Sequence, residues 1–178
     1  RFVAEALAGR GVRTGVVVGF PLGADGAEPK AAQARWCVGE GADEIDMVID
    51  VGALREGDWA RAGADIAAVR AACLDRTLKV ILETALLDDA QKREGCRLAV
   101  EAGADFVKTS TGFSTGGATV ADVALMRRAV GTQAGVKASG GIRTRADARA
   151  MVEAGANRIG ASASVAIVGG AEGNAEGY

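Results

Sequence analysis

The feature that most constrains this chain is an alternation. Short runs rich in valine, isoleucine and other apolar residues take turns with longer, alanine-rich runs whose apolar residues recur at helical spacing. The short runs predict strands at 14–20 ("TGVVVGF"), 44–50 ("EIDMVID"), 78–84 ("LKVILET"), 105–109 ("DFVKT"), 135–139 ("GVKAS") and 158–161 ("RIGA"). The runs between them read as helices, for example 58–73 and 144–154, the latter ending in "VEAGA" with Gly155 where a helix C-terminal glycine belongs. A "GAD" or "GAN" phrase precedes three of the strands, which marks a repeated βα unit.

Strands that recur roughly every 22 to 35 residues with helices between them must pair in parallel, because each crossover is long enough to return to the same end of the sheet. An open doubly wound sheet and a (β/α)8 TIM barrel both satisfy that rule. Asp46, Asp50, Glu83, Lys108 and Lys137 fall at or near strand C-terminal ends, and a barrel focuses such side chains on one mouth. The expected fold is therefore an α/β (β/α)8 barrel with six of its units present, residues 1–12 being the helix before the first of them. At about 30 residues per unit, roughly 50 further residues carrying two strands would complete the barrel, and a chain longer at its N-terminus is expected. Residues 1–163 are assigned to the partial barrel and 164–178 to a helix remnant and flexible tail.

Composition removes several kinds of chemistry. The 178 residues contain no histidine, so His-based triads and His-rich zinc sites are excluded. Net charge is −2 with no basic block, which argues against nucleic acid and membrane-surface partners. No uncharged run is long enough to span a bilayer. Cys37, Cys73 and Cys96 are widely spaced and odd in number, as expected of reduced thiols in a cytoplasmic protein. No metal-ligand set is visible in the sequence.

Lysine is scarce: sixteen arginines stand against Lys30, Lys79, Lys92, Lys108 and Lys137, and three of these five lie in predicted strands. Arginine is never a neutral nucleophile, whereas a crowded or buried lysine amine can lose its proton. Alternation puts Phe106 with Lys108, Lys137 with Ser139, and Asp46 with Val48 and Asp50, each set on one face. If those faces point inward, Lys108 and Lys137 meet across the mouth and Asp46 approaches from the facing wall. One ammonium then keeps the other amine neutral and able to attack a carbonyl as a Schiff-base nucleophile. Lowering a lysine from about 10.4 to about 7 costs about 4.6 kcal/mol. A cation at about 5 Å supplies about 3.3 kcal/mol of this, and partial desolvation the rest.

Lys108, at a strand end before a loop of small residues, is expected to be the nucleophile and Lys137 its electrostatic partner. Lys79, near the start of its strand, is expected to be structural, neutralised by Glu83 or a neighbouring carboxylate. Asp46 is the candidate acid/base, or an ion-pair partner for a lysine. Asp50 and Glu44 read as structural. The segment "KASGGIRTRAD" offers Gly140, Gly141 and Arg143 before a helix, and "RIGASAS" offers Gly160 and Ser162, together a phosphate site in the last two βα loops of a barrel.

Lys108 in "KTSTGF", Lys137 in "KASGGIR", Asp46 in "EIDMVID", with "GFPLG" and "LKVILET", give a chain that resembles the deoxyribose-phosphate aldolases. The resemblance implies a (β/α)8 Schiff-base aldolase that reversibly cleaves 2-deoxy-D-ribose 5-phosphate to D-glyceraldehyde 3-phosphate and acetaldehyde, with no metal or cofactor. It implies Lys108 as the Schiff-base lysine, Lys137 as the residue that lowers its pKa, Asp46 as the acid/base, and Gly112, Gly140, Gly141, Arg143, Gly160 and Ser162 as phosphate contacts. The motifs of the family's first two strands have no counterpart here, and Ser162 is followed by Ala163 where many relatives carry a second serine. The ending "GGAEGNAEGY" resembles a tyrosine-terminated tail of some relatives, which makes Tyr178 a further candidate. Another Schiff-base barrel aldolase with a different sugar phosphate, or a non-catalytic sugar-phosphate binding barrel, remain alternative readings.

Overall fold

The structure, a computed structural model, describes residues 1–169. Six strands form one sheet: β1 (Gly15–Val18), β2 (Glu44–Val48), β3 (Thr77–Ile81), β4 (Phe106–Lys108), β5 (Gly135–Ser139) and β6 (Arg158–Gly160), hydrogen-bonded in chain order and all parallel. Eight helices alternate with them: α1 (Phe2–Leu7), α2 (Ala27–Gly39), α3 (Val51–Glu56), α4 (Trp59–Ala72), α5 (Asp89–Glu101), α6 (Val120–Val130), α7 (Arg145–Glu153) and α8 (Ser164–Gly169). The expected tail, Tyr178 included, lies outside the described residues.

The sheet curls into an arc of a barrel. β2 and β6 are four strand spacings apart, which would separate them by about 19 Å in a flat sheet. Yet Arg158 at the start of β6 meets Glu44 at the start of β2 at 2.7 Å. Alternation splits the strand residues between two environments. Ile45, Met47, Leu78, Val80, Val107 and Val136 are fully buried and face the helices, where Leu54, Ile66, Val69, Leu98 and Met126 complete the core. The opposite, concave face carries Glu44, Asp46, Lys79, Lys108, Lys137 and Arg158. Gly135 belongs there too, because a Cβ on it would sit 2.3 Å from the Phe106 ring.

The helices start where the sequence provides acceptors for their orphan N–H groups. Asp58, Asp88, Thr119 and Thr144 each cap a helix N-terminus, Asp88 with Gln91 and Thr144 with Asp147 as reciprocal capping boxes. Gly155 takes φ 113° after α7, as its position in "VEAGA" predicted. Most strands are shorter than the sequence suggested. β2 stops at Val48 because Asp50 turns away to accept a hydrogen bond from Ala53 N–H and cap α3. That corrects the expectation that Asp50 shares a strand face with Asp46. β3 stops at Ile81, and Thr84–Leu86 winds into a 3-10 turn.

Candidate active site

Five strands contribute to one constellation on the concave face. Asp46, 5% exposed, accepts from Lys108 Nζ at 2.9 Å and Lys137 Nζ at 2.8 Å on a single oxygen, Oδ2. Its other oxygen, Oδ1, accepts from Lys79 Nζ at 2.5 Å. Lys79 also reaches Glu44 Oε2 at 2.7 Å, the same oxygen that Arg158 contacts at 2.7 Å. Two carboxylates therefore face three ammonium groups and a guanidinium in a largely enclosed interior.

Three of the expected residues, Lys108, Lys137 and Asp46, come together. Their arrangement differs from the expected one in one respect. Lys108 and Lys137 do not approach across the mouth: they are direct register partners on the adjacent strands β4 and β5. Lys79 is neutralised by neighbouring carboxylates, Asp46 and Glu44, as one of its two expected readings had it, and not by Glu83. It is in register with Asp46 and shares that carboxylate with the other two lysines.

The electrostatics follow from crowding and burial. Burial opposes ionisation of Asp46, but Lys108, Lys137 and Lys79 outweigh it and hold the carboxyl well below the usual carboxylate range. Asp46 is thus a carboxylate at rest. Burial pushes the Lys137 amine below the ordinary lysine value; Asp46 resists this, while Lys108 and Lys79 reinforce it. Lys137 gives up its proton more readily than a lysine in water. Burial also pushes the Cys96 thiol up to about 12, which leaves it no thiolate character.

Above the cluster, the loops after β4 and β5 are stitched together. Thr109 Oγ1 donates to Ser139 O at 3.0 Å and accepts from Ser139 N–H at 3.1 Å, and Ser139 Oγ donates to Ser110 O at 2.7 Å. Gly112, Gly140 and Gly141 have φ of 88°, 86° and 75°, a conformation that favours glycine. A Cβ on Gly140 would lie 3.7 Å from Gly112 Cα, so the two loops touch. None of these three glycine N–H groups finds an acceptor among the described residues. The Arg143 guanidinium is exposed and makes no ion pair among them, although its backbone N–H donates to Asp147 at 3.0 Å. Ser162 is exposed beside these loops' neighbour β6. Gly160 has a different surrounding from the one expected of a phosphate contact: a Cβ on it would meet Lys137 Cε at 3.1 Å and Ser139 Cβ at 3.0 Å, so its absence leaves room for the Lys137 side chain.

Sequence reasoning missed three features. Glu83 accepts from the backbone of Thr111 rather than from Lys79. Thr111 itself was not singled out. Phe20, after β1, and Phe113, after β4, form an edge-to-face pair with centroids 5.4 Å apart, a contact between two distant loops with no local signature. A surface hollow lined by Phe106, Arg127, Gln133 and Asn157 among others lies at the opposite, N-terminal ends of the strands and contains none of the lysine cluster.

The profile of the DeoC/LacD family aldolases matches residues 1–177. A protein of Rhodospirillum rubrum named deoxyribose-phosphate aldolase is 63% identical over 166 residues, 93% of this chain and 70% of the relative. One of the same name from Brevibacillus brevis is 58% identical over 175 residues, 98% of this chain and 79% of the relative. Among solved structures, the deoxyribose phosphate aldolase of Aeropyrum pernix, described as having a unique tetrameric structure, superposes with a TM-score of 0.82 at 34% identity, covering 94% of this chain and 71% of that one.

Proposed function

The chain belongs to the DeoC/LacD family of aldolases, and from that premise we propose that it is a deoxyribose-phosphate aldolase whose Schiff base forms on Lys108. The single observation that carries the assignment is the sharing of Asp46 Oδ2 by Lys108 and Lys137. Two lysine amines on one acceptor oxygen offer a direct path for a proton. Lys137, held below the ordinary lysine value, takes the proton that Lys108 must lose, with Asp46 as the bridge. The neutral Lys108 amine adds to the C1 aldehyde carbon of open-chain 2-deoxy-D-ribose 5-phosphate.

Once Lys108 is a neutral carbinolamine, the proton it gave up sits on Lys137, still bonded to Asp46. Asp46 can then carry that proton from Lys137 to the departing hydroxyl, and water leaves as the iminium forms. The iminium draws the electron pair of the C2–C3 bond as a base removes the C3 hydroxyl proton, which releases D-glyceraldehyde 3-phosphate. The enamine left on Lys108 is protonated at C2, and water hydrolyses the resulting imine to acetaldehyde. Every step reverses in the synthetic direction.

The phosphate is assigned to the unpaired N–H groups of Gly112, Gly140 and Gly141, with Arg143 supplying charge and Ser162 a hydroxyl. Successive N–H groups on positive-φ glycines form a concavity suited to an anion. Gly160 serves by leaving Lys137 its space. We assign residues 1–163 to the catalytic barrel and 164–178 to a terminal segment, and expect a homo-oligomer, dimer or tetramer, in the cytoplasm. Three unpaired thiols accord with a reducing compartment, and among the described residues no helix is long and apolar enough to cross a membrane.

Borohydride reduction in the presence of acetaldehyde tests the nucleophile. Mass mapping is expected to find an ethyl group on the peptide carrying Lys108. The ethyl group on Lys79 or Lys137 instead would reverse the roles given to these amines.

A further inference from the structure

Glu83 follows β3 at the mouth, yet it takes no part in the lysine cluster. It is 2% exposed and is the one non-glycine residue with positive φ, 56°, among the described residues. A side chain in the left-handed region persists only where its surroundings over-determine it, and such positions gather at functional sites. The carboxylate is only half satisfied: Oε1 is buried with no partner among the described residues. Neither cost is needed to pair the strands. Leu82 N–H already donates to Lys108 O at 3.0 Å and Thr84 N–H to Thr109 O at 3.0 Å, which continues the β3–β4 ladder past Glu83.

What Glu83 does hold is Thr111. Oε2 accepts from the Thr111 backbone N–H at 3.2 Å and from its hydroxyl. The hydroxyl oxygen in turn accepts from Phe113 N–H at 3.1 Å. These three bonds close the chain tightly around Gly112, the residue between, with its φ of 88° and its N–H free. Gly112 thereby stands against Gly140 of the neighbouring loop.

We propose that Glu83 is a positioning residue for phosphate recognition: through Thr111 it fixes the loop after β4 so that the Gly112 N–H joins those of Gly140 and Gly141 in one anion site. The inference rests on the phosphate assignment made above. It gives the strained backbone and the half-used carboxylate a shared purpose, and it predicts that the effect of Glu83 is confined to substrates that carry a phosphate.

Two substitutions separate this role from a structural one. Glu83→Gln keeps an acceptor for both Thr111 donors. Glu83→Gly removes the carboxylate but adopts φ 56° without strain, so its melting temperature is expected to stay at or above that of the parent. In the full chain, titration with inorganic phosphate followed by amide NMR reads the anion site whether or not a sugar phosphate is turned over. The Gly112, Gly140 and Gly141 amides are expected to respond in the parent and in Glu83→Gln, and phosphate is expected to bind about tenfold more weakly to Glu83→Gly. In kinetics, Glu83→Gly should raise KM for deoxyribose 5-phosphate about tenfold and leave kcat/KM for unphosphorylated deoxyribose within about twofold.

Equal phosphate affinity in Glu83→Gly and the parent overturns the proposal, as does a Glu83→Gly chain that fails to fold or loses both substrates equally. A Gly112 amide that ignores phosphate in the parent also overturns it. That result leaves the Lys108 assignment standing, since borohydride trapping decides it separately.

Discussion

At the residue scale, the decisive feature is how one carboxylate oxygen is divided between two amines. Lys108 and Lys137 lie 2.9 Å and 2.8 Å from Asp46 Oδ2, so neither distance alone separates nucleophile from helper. Their surroundings do: Lys108 leads into the loop that carries Gly112, whereas the Lys137 side chain fills the space that Gly160 leaves open. Burial makes Lys137 the amine that readily releases a proton, with Asp46 opposing and Lys108 and Lys79 assisting. The sign for catalysis follows. Below the lowered pKa of Lys137 the acceptor is filled and turnover falls; above it the acceptor is open. Lys137→Leu removes that acceptor, so the rate at neutral pH is expected to drop by about 10²-fold or more, the range typical of a lost acid–base group. Part of it should return in alkali, where hydroxide accepts the proton. A pH–rate profile parallel to that of the parent would exclude Lys137 from proton transfer.

At the scale of elements, strand alternation made much of the site readable and strand geometry hid the rest. Asp46, Lys108 and Lys137 were legible because each sits on the inner face of its own strand, which period-2 spacing reveals. Lys79 lies in the lower barrel beside a neighbouring carboxylate, as its place near the strand start suggested, but that carboxylate is Asp46 itself. Register pairs Asp46 with Lys79 and Lys108 with Ile81, so Asp46 lies one layer below Lys108, and the long amines bridge the layers. Asp50 is structural, as expected, but its place on the strand face was misread because a short acidic side chain next to a helix start competes for backbone N–H groups and ends the strand early. Glu83 was visible as a polar residue at the mouth, but its partner Thr111 lies 28 residues downstream with no spacing rule to connect them. The junction of the β4 and β5 loops was equally hidden. Gly117 packs so closely there that a Cβ would lie 2.3 Å from Gly140 O, which also accepts from Ala118 N–H at 3.0 Å. Gly117→Ala must push the two loops apart. It is expected to raise KM for deoxyribose 5-phosphate about tenfold, a loss of about 1.4 kcal/mol, while imine formation with acetaldehyde persists. Unchanged KM would show that this junction does not shape the phosphate site.

At the scale of the whole molecule, the cluster proposed as the catalytic site also ties the sheet together. Asp46 on β2 bonds to lysines on β3, β4 and β5, and Glu44 at the base of β2 reaches Arg158 on β6, so five strands meet through two carboxylates. The proposed acid/base, Asp46, is therefore also a tie between strands β2 to β5. Asp46→Asn leaves the three ammonium groups without their shared counter-charge, and breaking a buried pair in this way costs about 3–5 kcal/mol at neutral pH. The pH dependence of that loss has a definite sign. The folded-state pKa of Asp46 is depressed, so its contribution is fully present above the unfolded carboxylate value of about 3.9 and is lost as pH falls toward the folded value. Parent and Asp46→Asn should differ by a constant amount from pH 7 to pH 5 on this account. By pH 3 the difference should have narrowed by about 1 kcal/mol, since each pH interval below the unfolded value removes about 1.36 kcal/mol. Urea unfolding at pH 7, 5 and 3 measures this directly. A difference as large at pH 3 as at pH 7 would mean that the Asp46 charge does not latch the strands, and that the loss on substitution comes from packing around the amide.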